Sequence, residues 1–225
     1  MVRSVADRTY LLVSTQPEHY NPFRILAGNQ SLTLEHLRTG LESRGVQRGN
    51  IHTLPAFDLP VINGARSAGD CALDEHLRRI VVDPENTTCC LSLKTAHFLQ
   101  AAQMVSYLTS LLPGISIVIG GPHIQREEIY DNKGTRFMDP AEISLSTMGV
   151  QAAIDGDMGP ILDYANFEGQ LTEFDRPGFF HSGSISRPVD PRDRGYYPPD
   201  LLEVPIVETE PTDDGRVGIS LAVGG

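Results

Sequence analysis

The chain has 225 residues, 40% hydrophobic and 21% charged, with a formal net charge of −11. That is room for one domain of common size and a smaller appendage, and the acidity argues against nucleic acid or an anionic membrane surface as the main partner. No apolar run approaches the roughly 18 residues of a membrane span, and the opening M-V-R-S-V-A-D-R-T-Y has no signal core, so a soluble, cytoplasmic protein is expected.

Tyr10 to Ser14, Y-L-L-V-S, is the first predicted strand. It runs into Thr15-Gln16-Pro17-Glu18-His19-Tyr20-Asn21-Pro22, a polar loop whose two prolines exclude helix. Ser31 to Arg44 carries Leu34, Leu37 and Leu41 three and four apart, one face of a helix, and Gly45 follows as its stop. Asn50 to Leu54 begins the second strand, with Ala56 to Val61 as its exit. Ala72 to Val82 is the second helix, with Asp70 available as a cap and Pro84 as a stop. Thr87 to Leu93, T-T-C-C-L-S-L, is strand three. From His97 to Leu112, Phe98, Ala101, Val105, Leu108 and Leu112 mark the strongest helix. Pro113-Gly114 ends it and delivers the chain into Ile115 to Ile119, which gives the length of a right-handed parallel crossover.

Ile115 to His123, I-S-I-V-I-G-G-P-H, is an apolar run stopped by two glycines, the pattern of a buried central strand in a parallel sheet. The glycines allow a sharp turn and a close approach of the backbone. Asp131-Asn132-Lys133-Gly134 predicts an exposed turn. Asp139-Pro140-Ala141-Glu142 is a helix start, with an aspartate cap, proline at the first position and a glutamate reaching back. Val150 to Asp155 is a fifth strand ending at Gly156-Asp157-Met158-Gly159, and Pro160 opens a short helix through Phe167. Five strands alternating with five helical segments predict a doubly wound α/β fold with a mainly parallel five-stranded sheet.

The character changes after Arg176, because seven of the sixteen prolines fall between Pro177 and Pro211. The expected division is an α/β domain over 1–175 and a proline-rich linker or wrapping arm over 176–225. The strand-like Val217 to Val223 ends it, either pairing with the sheet or opening a further domain.

Cys89 and Cys90 adjoin in a predicted strand, so their side chains point to opposite faces. With Cys71 they form no C-x-x-C pair, and a structural role is expected for all three. There is no G-x-x-x-x-G-K-[ST], G-x-G-x-x-G or G-x-S-x-G, which argues against nucleoside triphosphates, ordinary dinucleotide binding and a nucleophile elbow. The histidines lack dense metal spacing, and Asp155-Gly156-Asp157 opens like a calcium loop without its later ligands. Three strand ends carry marked loops: Ser92-Leu93-Lys94-Thr95, Gly120-Gly121-Pro122-His123 and Gly156-Asp157-Met158-Gly159. Each alone is explained by a strand-to-helix turn; three at one sheet edge predict a ligand site.

The succession Ser92-Leu93-Lys94-Thr95, then P-G-I-S-I-V-I-G-G-P-H, then A-A-I-D-G-D-M-G-P resembles the N-terminal cobalamin-binding domain of class B radical SAM enzymes. In that family the fourth strand reads like "ivlGGpH" and the fifth ends in a "GEgE"-like loop. The likeness covers roughly residues 9 to 170, and the tail resembles the bridge these enzymes place before their barrel. A C-x-x-x-C-x-x-C motif would be expected just past Gly225. Without it this chain cannot hold the [4Fe-4S] cluster that cleaves S-adenosylmethionine, so a barrel in cis or trans is the implied partner. Asp157 stands where the family has its first glutamate, and the second acid is missing. The D-x-H-x-x-G motif of histidine-ligated cobalamin is also absent, and His19 lacks its flanking aspartate and glycine.

The resemblance therefore implies a Rossmann-like or flavodoxin-like domain that binds cobalamin, as methylcobalamin or hydroxocobalamin, without a histidine to cobalt. The implied contacts are Thr15, Gln16, Ser92, Leu93, Lys94, Thr95, Gly120, Gly121, Pro122, His123, Gly156, Asp157, Met158 and Gly159. No catalytic residue and no protein ligand to a metal is implied. The parent enzyme would be a methyltransferase. The alternative is a flavodoxin-like binding or regulatory module whose ligand is not cobalamin.

Overall fold

In the computed structural model, residues 7–15, 32–54, 68–94, 97–121, 123–124, 126, 129–155, 158–185, 207–208 and 219–220 are described. Strands β1 (Thr9–Ser14), β2 (Ile51–Leu54), β3 (Thr87–Ser92), β4 (Ser116–Gly120) and β7 (Ala152–Ile154) pair in parallel. A sixth strand, β8 (Phe179–His181), adds to β7 antiparallel, and the sheet order is β2-β1-β3-β4-β7-β8. Counting only the parallel strands, this is the 2-1-3-4-5 order of flavodoxin-like sheets.

The strands alternate between two cores, as a sheet covered on both faces must. Leu11, Val13, Cys89, Leu91, Ile117 and Ile119 enter one core. They meet helices α2 (Ala68–Ile80), α3 (Phe98–Leu111) and α4 (Pro140–Thr147), through Leu77, Met104, Leu108 and Ala141 among others. Tyr10, Leu12, Cys90 and Val118 enter the other, against α1 (Leu32–Ser43) and α5 (Gly159–Ala165). The expected opposition of the two cysteines therefore holds. Burial pushes the Cys89 thiol up to about 12, and burial with the neighbouring Cys89 holds Cys90 well above the ordinary thiol range. Both are small apolar fillers rather than nucleophiles.

The helix ends follow local chemistry. Gly45 stops α1 with φ +89°, where a side chain would be strained. Asp139 caps α4 in a full capping box with Glu142, as the sequence predicts. Helix α2 begins at Ala68, so Asp70 lies inside its first turn rather than capping it, and the helix stops at Ile80, before the exposed Val82. The D-N-K-G turn joins a two-residue hairpin, β5 (Ile129–Tyr130) and β6 (Arg136–Phe137), with Asp131 Oδ1 accepting from the Lys133 and Thr135 peptides.

At the start of the proline-rich stretch the chain forms a strand that the linker reading did not include. Phe179 and Phe180 are buried, and β8 extends the sheet within what reads as linker. Farther on, β9 (Val207–Glu208) pairs antiparallel with β10 (Ile219–Ser220) in a separate two-stranded sheet, so the two described residues of the terminal run pair outside the main sheet. Among the described residues no helix is long and apolar enough to cross a membrane.

Candidate functional site

The connections from β1 to β2 and from β2 to β3 leave in opposite directions, which makes the carboxyl ends of β1 and β3 the topological switch point. Doubly wound sheets hold their ligands at such a point. There, Thr15 is fully buried and donates to the Ser92 carbonyl twice, from its peptide N–H (3.1 Å) and from its hydroxyl (2.8 Å). The hydroxyl thereby serves the backbone. The Leu93 peptide donates to the Gly120 carbonyl at 2.7 Å, and the Leu93 side chain is in the core, so that residue offers only backbone to a ligand. Lys94 is exposed, and its carbonyl accepts from the His97 peptide at 2.9 Å.

After β4 the chain turns over Leu93. Gly121 has φ +108°, and a Cβ there would lie 2.7 Å from the Leu93 carbonyl oxygen and 3.1 Å from its nitrogen. The glycine is required because the β3 and β4 ends press backbone against backbone. Gly120 is different: among the described residues an added Cβ would meet only Ile154 Cβ, at an ordinary 3.6 Å. His123 then donates its peptide N–H to the Leu93 carbonyl (3.4 Å), and its ring meets Phe98 edge-on at 5.4 Å. Burial draws its pKa below the usual imidazole value, so the ring is neutral at pH 7 and can accept as well as donate. In the β3–α3 connection, His97 stands at the head of α3 with a buried Nδ1 that has no hydrogen-bond partner among the described residues. A ligand or water is the natural complement of such an atom.

Thr15, Ser92, Leu93, Lys94, Gly120, Gly121 and His123 thus gather at one edge. Met158 and Gly159 stand at the start of α5, where Met158 packs against the α1–α5 core. Gln16, Thr95, Pro122, Gly156 and Asp157 lie outside the described residues, as does His19. Among the described residues no group of three or more His, Cys, Asp or Glu side chains is arranged to hold a metal.

Sequence reasoning did not find the charged cluster beneath this edge. Arg126 and Asp139 are both fully buried and pair at 2.9 Å through Nε and Oδ2. The Arg126 peptide donates to Asp155 Oδ2 at 2.9 Å, its Nη2 donates to the Ile185 carbonyl at 3.1 Å, and its guanidinium lies 4.7 Å from the centre of the Phe180 ring. Asp139 also accepts from the Glu142 peptide (2.8 Å), while Glu142 accepts from the Asp139 peptide and from Arg136. The only sequence signal was the capping box; the Arg126 contacts join positions 13 to 59 residues apart.

Glu142 carries a pH consequence. Burial works to raise its pKa, but hydrogen bonds from Arg136 and the Asp139 peptide, with the charges of Arg136 and Arg126, leave it below the ordinary value. A carboxyl depressed in the folded state contributes stability above its unfolded pKa and loses that contribution as pH falls through its folded pKa. The stability advantage of the wild type over Glu142→Gln is therefore expected to shrink as urea titrations are taken from pH 7 towards pH 3. A difference that stays constant over that window would remove this account of Glu142.

A cleft of about 680 Å³ opens at the other end of the sheet, among Arg8, Glu85, Thr88, Ser116, Gln151 and Tyr164. It has the volume of a small-molecule pocket but faces the amino ends of the strands, the wrong end for this fold. Its polar groups also serve the backbone: Arg8 donates to the Tyr164 and Phe167 carbonyls, and Gln151 Oε1 accepts from the Ile117 peptide. The carboxyl edge is the better candidate. Compared with known proteins, the chain matches no family model, no curated protein and no solved structure.

Proposed function

We propose that this chain binds cobalamin across the carboxyl ends of β1, β3 and β4, without a histidine to cobalt, as the corrinoid domain of a radical SAM methyltransferase. The observation that carries the reading is the meeting of Gly120, Gly121 and His123 with Leu93 beside the switch point, near a His97 Nδ1 that has no hydrogen-bond partner among the described residues. The sequence likeness rests on those same two loops. A corrin ring presents amide side chains around its rim, and neutral His123, His97 Nδ1 and the Ser92 hydroxyl are groups of the type that bonds amides. The domain's part would be to hold and orient the cofactor, with S-adenosylmethionine and the cluster supplied by a barrel in cis or trans.

A second reading has its own support. Gly121 is explained by Leu93, and the Thr15 hydroxyl by the Ser92 carbonyl, with no ligand needed for either. That favours a flavodoxin-like module with some other ligand. An absorption titration with hydroxocobalamin separates the two, using Gly120→Leu as the blocking variant because Gly121 cannot be changed without disturbing the fold. Saturable corrinoid binding by the wild type, weakened about tenfold or more in Gly120→Leu, is expected for a side chain placed at the ligand contact. Equal binding by both proteins would move cobalamin away from the β4 end.

A further inference from the structure

We infer that Arg126 is a positioning residue, which couples the strand-end loops of the candidate site to the β8 segment of the proline-rich stretch. Few groups are harder to bury than a guanidinium, yet Arg126 is 1% exposed. Contacts to it among the described residues come from three separate pieces of chain. Asp139 belongs to the cap of α4, Asp155 to the exit of β7, and Phe180 with Ile185 to the segment that adds the antiparallel strand. Asp155 adds a second tie to the same segment, because its peptide N–H donates to the Gly178 carbonyl at 2.9 Å. Arg126 itself lies two residues past Ile124, whose peptide closes the Gly121 turn at 3.0 Å. One buried residue thus joins these pieces, its peptide held by the β7 exit and its guanidinium by the α4 cap and residues 178–185.

A buried ion pair gains little over an apolar filling of the same shape, so its value lies in fixing one arrangement. If 178–185 leaves the sheet, Arg126 loses a carbonyl and an aromatic face and opens to water on that side. The β4 and β7 exits then lose the post that holds them. By reciprocity, whatever steadies those exits also favours docking of 178–185. Site occupancy and the docked state of the proline-rich segment therefore reinforce one another. In its ligand arm this inference rests on the cobalamin reading above.

Hydrogen exchange on the full chain tests it. The double variant Arg126→Met with Asp139→Asn removes both buried charges, and asparagine still caps α4. Without ligand, exchange at Ile124 and at Ser184 and Ile185 is expected to rise together, about tenfold, with β1 and β3 unchanged. A contribution to overall stability alone would speed β1 and β3 as well. Hydroxocobalamin is expected to slow exchange at Ser184 and Ile185 in the wild type and not in the double variant. If the double variant fails to fold, Phe180→Leu keeps the segment apolar, removes the ring beside the guanidinium, and must give the same paired rise on a smaller scale. Segments that respond separately, or not at all, overturn the coupling. A wild type that takes up no hydroxocobalamin refutes the cobalamin reading instead, and the ligand-free comparison still decides the coupling.

Discussion

Gly121→Ala is expected to lower the free energy of unfolding by about 3 kcal/mol, against less than about 1 kcal/mol for Gly120→Ala. The two glycines are neighbours in sequence but stand in different physical positions. Gly121 combines φ +108° with a Cβ direction that runs into the Leu93 carbonyl at 2.7 Å, and the obstacle is backbone that cannot rotate away. Gly120 has neither feature, with Ile154 at ordinary contact distance. Urea midpoints at an unchanged m-value give the comparison. Equal losses at the two positions would mean that the β3 and β4 ends are not pressed together as described.

The second large effect lies in the buried pair. Arg126→Met alone is expected to cost about 3–5 kcal/mol, because it leaves the Asp139 carboxylate buried without its cation. Adding Asp139→Asn should recover most of that loss, since the uncompensated charge is then gone and the cap remains. The recovery is a double-mutant coupling between two residues 1% and 0% exposed at their side chains. Losses that simply add would show that the two side chains do not act as a pair. The half-buried pair of Arg38 with Glu42 in α1 carries no comparable expectation, because water and side-chain entropy offset most of its attraction.

Much of the fold was legible from the sequence because the sheet is buried on both faces. Runs such as Leu11 to Val13 and Ile117 to Ile119 are apolar without interruption, and each run marks a strand. The capping box at Asp139 was legible because its chemistry is local. Strand β8 was not: it is three residues long, follows Pro177-Gly178, and depends on β7 rather than on any pattern of its own. The α2 start was missed because Asp70 suits a cap and the helix simply begins earlier.

The candidate site divides in the same way. Its glycines were visible, but the reason for Gly121, the Leu93 backbone, is a tertiary contact 28 residues back along the chain. Leu93 reads as the last residue of strand three and a candidate ligand contact, and its side chain in fact closes the core. Arg126 sits in a polar stretch ahead of the D-N-K-G turn, and contacts from α4, β7 and the β8 segment bury it. A sequence records which residues can turn, cap or alternate; it does not record which distant carbonyl will receive a guanidinium.

The central claim is most directly tested by mixing the purified chain with hydroxocobalamin, desalting it, and recording the visible spectrum. The account predicts corrinoid absorbance that travels with the protein, in the form that has lost its dimethylbenzimidazole ligand. A folded sample that emerges colourless after incubation at tens of micromolar would contradict it, and would leave the carboxyl edge of this sheet as a site for some other ligand.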